Sequence, residues 1–119
     1  MNDADIDALP LLDAEIIAEL REVMEDEFGS LIAAFLDDLP LHLDRLQIAV
    51  ATQDAESIYQ TSHKLKSSCG NLGAVRLMEL FRRLEQAGRL HTLDHAAKLL
   101  QHTQAAADEA AVCLRAVVD

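Results

Sequence analysis

Apolar residues recur every three or four positions along most of the chain, which is the pattern of amphipathic helices, and no stretch alternates as a strand would. The spacing predicts a first helix that begins after Asp13 and runs through Met24, with Gly29-Ser30 ending it. A second apolar stripe runs over positions 31–50 and passes through Pro40. We expect this proline to bend the second helix or to split it in two.

Three more helices follow from the same periodicity and from capping residues. A third is predicted to begin at Asp54 and to end between positions 70 and 73. Its buried face is predicted to carry the residues that repeat every seven positions, namely Ile58, Leu65 and Leu72. A fourth spans about 74–88, and a fifth begins at Thr92 or Asp94 and continues toward the C-terminus. Ala97, Leu100, Ala107, Ala111, Leu114 and Val118 are its predicted inward positions.

Short connections between long helices place successive helices antiparallel to one another. We therefore expect an all-α protein, an antiparallel up-and-down four-helix bundle with an additional short N-terminal helix. The 119 residues are 50% apolar and 26% charged, which suits one folded domain over residues 1–119.

The net charge of −11 counts against nucleic acid or an anionic membrane as the main partner and favours a protein partner. No apolar run approaches the roughly 18 to 20 residues needed to cross a bilayer, and the N-terminus is acidic. We expect a cytoplasmic monomer. Cys69 and Cys113 lack zinc-ligand spacing and are expected to be reduced thiols, and no glycine-rich loop for ATP is present.

One histidine on the third helix stands out as a candidate for chemistry. His63 lies about 140° around the helix from Ile58, whereas Leu65 lies within about 20° of it, so His63 is predicted to face solvent. Lys64 and Lys66 are close to it, and six of the ten basic residues fall within positions 64–89, where only two acidic residues occur. An exposed imidazole is a nucleophile near neutral pH, and ammonium groups stabilise phosphate oxygens. The segment is therefore a candidate phosphoryl site.

Residues 63–74, HKLKSSCGNLGA, resemble the signature of histidine-containing phosphotransfer (HPt) domains. The usual form of that signature is H-x-L-K-G, then small residues, then an aliphatic residue followed by Gly-Ala. The resemblance extends to residues 35–50 and 84–88 and so covers nearly the whole chain. Ser67 stands where the family usually has Gly, and we expect its hydroxyl either to hydrogen-bond His63 Nδ1 or to crowd an incoming partner slightly.

The resemblance implies a relay in which His63 takes a phosphoryl group from the aspartyl phosphate of a hybrid sensor kinase's receiver domain. The group then passes to the receiver aspartate of a response regulator. By this analogy the attacking atom is the imidazole Nε2, Lys66 holds the phosphate with Lys64 as a second candidate, and Mg²⁺ belongs to the receiver. No metal and no cofactor of the protein's own is implied.

The receiver is expected to dock on the His63 face of the domain. The candidate partner-binding residues are Tyr59, Ser67, Gly70, Arg82 and Glu85, the last from a fourth-helix position that in the family lies close to the histidine.

Three alternatives compete with the relay. The dimerisation helix of a sensor kinase usually has an acidic residue directly after its histidine, where this chain has Lys64. A metal site is conceivable from His91, Asp94, His95 and His102, although its geometry depends on where the fifth helix begins. The third is a helical adaptor that binds a receiver or another signalling protein without transferring phosphate.

Overall fold

The computed structural model describes residues 2–119, and these form helices and short connections without a strand. The helices are α1 Asp3–Ala8, α2 Ala14–Met24, α3 Phe28–Ala51, α4 Ala55–Leu72, α5 Val75–Leu90 and α6 Ala96–Val118. The all-α prediction is confirmed. None of these helices is both long enough and apolar enough to span a lipid bilayer.

Two predicted N-caps are confirmed. The Asp13 carboxylate accepts hydrogen bonds from the backbone amides of Glu15 and Ile16, which satisfies donors at the start of α2. The Asp54 carboxylate does the same for Ser57 at the start of α4. Both caps act within one turn of chain, which is why the sequence alone could identify them.

The predicted break at Gly29-Ser30 is wrong. α2 ends at Met24, the chain turns through the 3₁₀ segment Glu25–Glu27, and α3 has already begun at Phe28. Glu25 takes the turn with a φ of +50°. Phe28 is buried, so the inward face of α3 starts before the glycine, and tertiary burial overrides the local helix-breaking signal.

Pro40 does not split α3, which runs as one helix from Phe28 to Ala51. Pro40 itself is exposed, whereas Leu39 before it and Leu46 further along the helix are buried. Packing of this buried face therefore holds the helix together across a residue that disfavours it locally.

The ends of α5 and α6 also differ from the prediction. α5 continues to Leu90, past Gly88, and closes on His91 in the left-handed conformation. α6 is preceded by His95, whose side chain makes no capping hydrogen bond, so neither Thr92 nor Asp94 caps it. Of the predicted inward positions of α6, Leu100, Ala107 and Leu114 are buried, Ala111 is half-buried, and Ala97 and Val118 are exposed.

The core lies between four helices: α3 packs against α4 and α6, and α5 packs against the same two. Ile58, Leu65 and Leu72 are buried, as predicted. α4 and α5 approach each other closely at Gly88, because a Cβ there would lie 2.7 Å from both the Ala55 carbonyl oxygen and the Tyr59 amide nitrogen. This contact fixes how α5 lies against the part of α4 that carries His63.

The N-terminal segment is tied to the rest of the fold by side chains far away in sequence. The Arg76 guanidinium donates hydrogen bonds to the carbonyl oxygens of Asp7 and Leu9. His102 Nε2 lies 2.7 Å from Asp7 Oδ1 and links α6 to α1. The additional N-terminal helix that the sequence predicted is α2; α1, which precedes it, was not predicted. Ile6 is the one buried residue of α1 and is fully buried.

Candidate functional site

His63 stands on the solvent side of α4, as the helical spacing predicted. Its side chain is 57% exposed, whereas Ile58 and Leu65 are buried in the core. Because Ile58 and Leu65 anchor the opposite face of α4, the position of the His63 backbone is fixed while its ring remains open to a partner.

The His63 ring is held by a carboxylate from the neighbouring helix. Nδ1 of His63 lies 2.5 Å from Oε2 of Glu85 on α5, and Oε1 of the same carboxylate accepts a hydrogen bond of 2.9 Å from Lys66 Nζ. Only 15% of the Glu85 side chain is exposed. Glu85 therefore joins the imidazole and the ammonium group in one His63–Glu85–Lys66 cluster.

The charge state of Glu85 decides which nitrogen of His63 carries the proton. Burial raises the pKa of Glu85, but hydrogen bonds from Lys66 and His63 outweigh burial and hold this pKa below its usual value. The carboxylate is therefore ionised at neutral pH and can only accept hydrogen bonds. His63 Nδ1 must then be the donor, and in the neutral ring Nε2 is the nitrogen with a free lone pair.

The Tyr59 ring packs beside the imidazole of His63. The two rings are stacked with centroids 5.9 Å apart and planes 17° apart, one helical turn separating the residues. The Tyr59 backbone also borders Gly88 of α5. The tight α4–α5 contact and the orientation of the imidazole are therefore linked through this residue.

One expectation about the nearest neighbours of His63 is corrected. Glu85, and not Ser67, is the partner of Nδ1, and no hydrogen bond joins Ser67 to the ring within residues 2–119. The contact of Glu85 with a partner stays a prediction; within the domain both of its oxygens are bound and most of its side chain is covered. The resemblance correctly placed Glu85 near the histidine but did not identify its contact with Nδ1.

The two lysines lie on different sides of His63. Lys66 is paired with Glu85, whereas Lys64 is exposed, forms no ion pair with any residue in the described part of the chain, and borders a cavity between α2, α3 and α4. The roles of both lysines in holding phosphate stay predictions.

Part of the basic window is paired with carboxylates. Arg82 and Arg83 share the Glu79 carboxylate, and Lys66 binds Glu85. The sequence count already included Glu79 and Glu85, so these pairs locate the two acidic charges of the window without removing its excess of positive charge.

The other candidate docking residues lie along α4 and α5. Arg82 remains 47% exposed despite its pair with Glu79. Gly70 lies two turns after His63 and is half-buried, and a Cβ there would come 3.2 Å from Met78 Sδ. Gly70 is thus first a packing position between α4 and α5; its contact with a partner stays a prediction, as do those of Tyr59, Ser67 and Arg82.

A cavity of about 480 Å³ between α2, α3 and α4 was not predicted. Its lining is largely apolar and includes Met24, Leu31 and Phe35, with Lys64 and His42 at the polar side. His42 Nδ1 is buried and has no hydrogen-bond partner among the described residues. Burial, with Lys64 and Arg45, lowers the pKa of His42 in spite of Asp38. The signal in the sequence was the place of His42 within the apolar stripe of α3.

The metal-site alternative finds no support in the described residues, where no three His, Cys, Asp or Glu side chains come together as possible ligands. His102 contacts Asp7 instead, and His91 and His95 are exposed in the connection before α6.

Comparison with known proteins agrees with this geometry. Residues 30–113 match the Hpt domain family. The solved structure of histidine-containing phosphotransfer protein B (HptB) from Pseudomonas aeruginosa PAO1 is similar with a TM-score of 0.87 at 30% identity, over 91% of this chain and 94% of that one. A stretch of 57 residues, 48% of this chain, is 46% identical to the sensor protein TorS of Escherichia coli (strain K12), of which it covers 6%. The chain belongs to the Hpt domain family.

Proposed function

We propose that this protein carries a phosphoryl group on Nε2 of His63, between the receiver domain of a hybrid sensor kinase and that of a response regulator. The observation that carries the proposal is an exposed imidazole whose Nδ1 is bound by an ionised carboxylate, in a chain of the Hpt domain family. The antiparallel up-and-down four-helix bundle, the monomeric state and the cytoplasmic location belong to the same proposal.

For phosphoryl transfer, the protein must align the attacking nitrogen with the phosphorus and stabilise the charge of the phosphoryl oxygens. A neutral Nε2 attacks the phosphorus of an aspartyl phosphate, and the bond between phosphorus and the aspartyl oxygen breaks as the receiver carboxylate leaves. Lys66 and Lys64, on the same helix as His63, would stabilise the phosphoryl oxygens. The receiver supplies both the aspartate and Mg²⁺, so the protein needs no metal or nucleotide of its own.

The receiver would cover His63 and contact both of its flanks. On the α5 side it meets Tyr59 and Arg82; on the other side it meets Lys64 and the apolar cavity between α2, α3 and α4. An apolar surface beside exposed positive charge suits a partner whose acidic pocket is ringed by hydrophobic residues.

The alternative is an adaptor that binds a receiver without accepting phosphate. An adaptor has no need for a bound Nδ1 beside a free Nε2, which favours the relay. The two functions differ in one measurable respect, because only the relay becomes phosphorylated.

The test is transfer from a receiver domain that has been phosphorylated with a small phosphodonor and Mg²⁺. The wild-type protein should gain phosphate that is labile in acid and stable in alkali, and His63→Gln should gain none. His95→Gln removes an exposed histidine that makes no capping hydrogen bond and serves as the matched control, which should be phosphorylated as the wild type is. Wild-type protein that binds the receiver but gains no phosphate would identify an adaptor.

A further inference from the structure

We propose that the cavity between α2, α3 and α4 binds a small hydrophobic molecule that carries one carboxylate, and that this molecule competes with the receiver. The cavity measures about 480 Å³, within the roughly 300 to 1,000 Å³ of pockets that hold small molecules. The binding site is independent of phosphoryl transfer, whereas the competition rests on the proposed function.

Two helices supply most of the apolar wall of the cavity. Leu20 and Met24 come from α2, and Leu31 and Phe35 come from α3. All four side chains are large and apolar, yet each is only half-buried. Removing apolar surface from water is favourable roughly in proportion to the area covered. The hydrophobic body of a ligand would cover this surface.

The polar side of the cavity has two groups without a partner. Nδ1 of His42 is buried and makes no hydrogen bond within residues 2–119, although buried polar atoms in folded proteins nearly always make one. Lys64 is exposed, and its ammonium group forms no ion pair in that part of the chain. The positive charge of Lys64 acts on His42, so the two groups are neighbours. Together they offer a hydrogen-bond donor and a cation to one ligand group.

The charges around His42 define the class of ligand. Burial and the nearby cations Lys64 and Arg45 lower the pKa of His42. The ring is therefore neutral at pH 7, and it can donate one hydrogen bond from Nδ1. A carboxylate can accept from both His42 and Lys64. Asp38, the acidic residue of the lining, repels a second negative charge, so a monocarboxylate fits better than a dicarboxylate.

Lys64 connects the cavity to the phosphoryl site. It follows His63 directly in the chain and also lines the cavity. In the proposed function the receiver contacts both Lys64 and the apolar surface beside it. A bound carboxylate would neutralise this lysine, and the ligand body would cover the apolar surface. The receiver should therefore bind more weakly, while the contacts of His63 with α5 are left unchanged.

The first experiment titrates the unphosphorylated protein with 2-naphthoate and, separately, with 2-naphthalenemethanol, which has the same rings without the charge. Backbone amide shifts in NMR spectra give both the Kd and the place of binding. The shifts should be concentrated on the parts of α2, α3 and α4 that line the cavity. Naphthoate should bind about three- to tenfold more tightly than the alcohol, as expected for an exposed ion pair together with a charged hydrogen bond.

Three variants test which residues make the site. Lys64→Met should reduce the preference for naphthoate over the alcohol. Lys98→Met is the matched control, because it removes an exposed lysine of α6 that does not line the cavity, and it should keep the preference. Ala34→Phe adds a large ring at an exposed lining position, so it should block both probes without unfolding the protein, as circular dichroism would verify.

The second experiment measures phosphoryl transfer from a phosphorylated receiver to the wild-type protein, with and without naphthoate, over a series of receiver concentrations. Naphthoate at its measured Kd should double the receiver concentration that gives half the maximal rate and leave the maximal rate unchanged. Ala34→Phe, which is expected not to bind naphthoate, should transfer at the same rate with and without it. Slowing of both proteins would show that naphthoate acts on the receiver and would refute competition at the cavity.

The outcomes separate the two proposals. If naphthoate does not bind at millimolar concentration, or binds no more tightly than the alcohol, the carboxylate site is refuted and the proposed function stands. Naphthoate that binds the cavity without slowing transfer would refute the competition. If the wild-type protein accepts no phosphate even without naphthoate, the proposed function fails, and the titration still decides whether the binding site exists.

Discussion

Replacing Gly88 with alanine tests whether the contact between α4 and α5 determines the geometry around His63. A Cβ at this position would lie 2.7 Å from the Ala55 carbonyl oxygen, 2.7 Å from the Tyr59 amide nitrogen and 3.1 Å from the Tyr59 Cα. All three are backbone atoms, so no side chain can rotate to make room. The helices must separate until these distances reach the 3.4 Å of an ordinary contact.

The magnitude follows from two opposing effects. Overpacking of a core costs about 1 to 3 kcal/mol, and a clash with rigid backbone belongs at the upper end of that range. Alanine in place of glycine returns up to about 1 kcal/mol of helix propensity. We expect the free energy of unfolding to fall by about 1 to 2 kcal/mol, or roughly 3 to 10 °C in Tm for a domain of this size.

The assay is urea and thermal unfolding of Gly88→Ala beside Gly29→Ala. A Cβ at Gly29 would meet only Val118 Cγ1 at 3.6 Å, an ordinary contact, so this control should keep or slightly raise the wild-type stability. Gly88→Ala should also accept phosphate more slowly, because the displaced Tyr59 backbone shifts His63 relative to Glu85. Equal stability of the two variants would refute the argument that close backbone contact places α5 against α4.

Three further predictions follow from individual contacts. Burial raises the pKa of the Cys69 thiol to about 12. A thiol reagent at pH 8 should therefore modify Cys113 in the native protein and Cys69 only after unfolding. Modification of Cys69 in the native protein would contradict its packing. Arg76→Ala removes charged hydrogen-bond donors from two backbone carbonyls and should lower the free energy of unfolding by about 2 kcal/mol. The variant should also be cleaved faster than the wild type by a protease in the segment before α2. Cleavage at the wild-type rate would contradict this prediction. The pKa of Glu85 is lowered in the folded state, so its ion pair with Lys66 stabilises the protein above the ordinary pKa of a glutamate, and this stabilisation is lost as pH falls through the folded-state pKa. In urea unfolding, Glu85→Gln should therefore lower the free energy of unfolding more at pH 7 than at pH 3. An equal loss at both pH values would contradict an ionic contribution.

The features that the sequence predicted are those fixed by short stretches of chain. The caps Asp13 and Asp54 act within one turn, and the outward direction of His63 follows from its spacing to Ile58 and Leu65. The helix end predicted at Gly29-Ser30 is wrong, because it rested on the low helix propensity of glycine and serine, which the burial of Phe28 outweighs.

The features that escaped prediction depend on how helices lie against each other. The family resemblance predicted that Glu85 lies near His63. The contacts of Glu85 with His63 Nδ1 and Lys66 Nζ depend on the register of α5 on α4, which the backbone contact at Gly88 sets. The half-buried position of His42 in the cavity likewise depends on α2 and α4 covering α3. No periodicity within a single helix contains this information.

The central claim is that His63 is the residue that carries the phosphoryl group. The most direct measurement is to load the protein from a phosphorylated receiver, keep it alkaline, and locate the added phosphate by fragmentation in a mass spectrometer. The account predicts one phosphate, on His63. Phosphate on His42, His91, His95 or His102, with His63 unmodified, would contradict it.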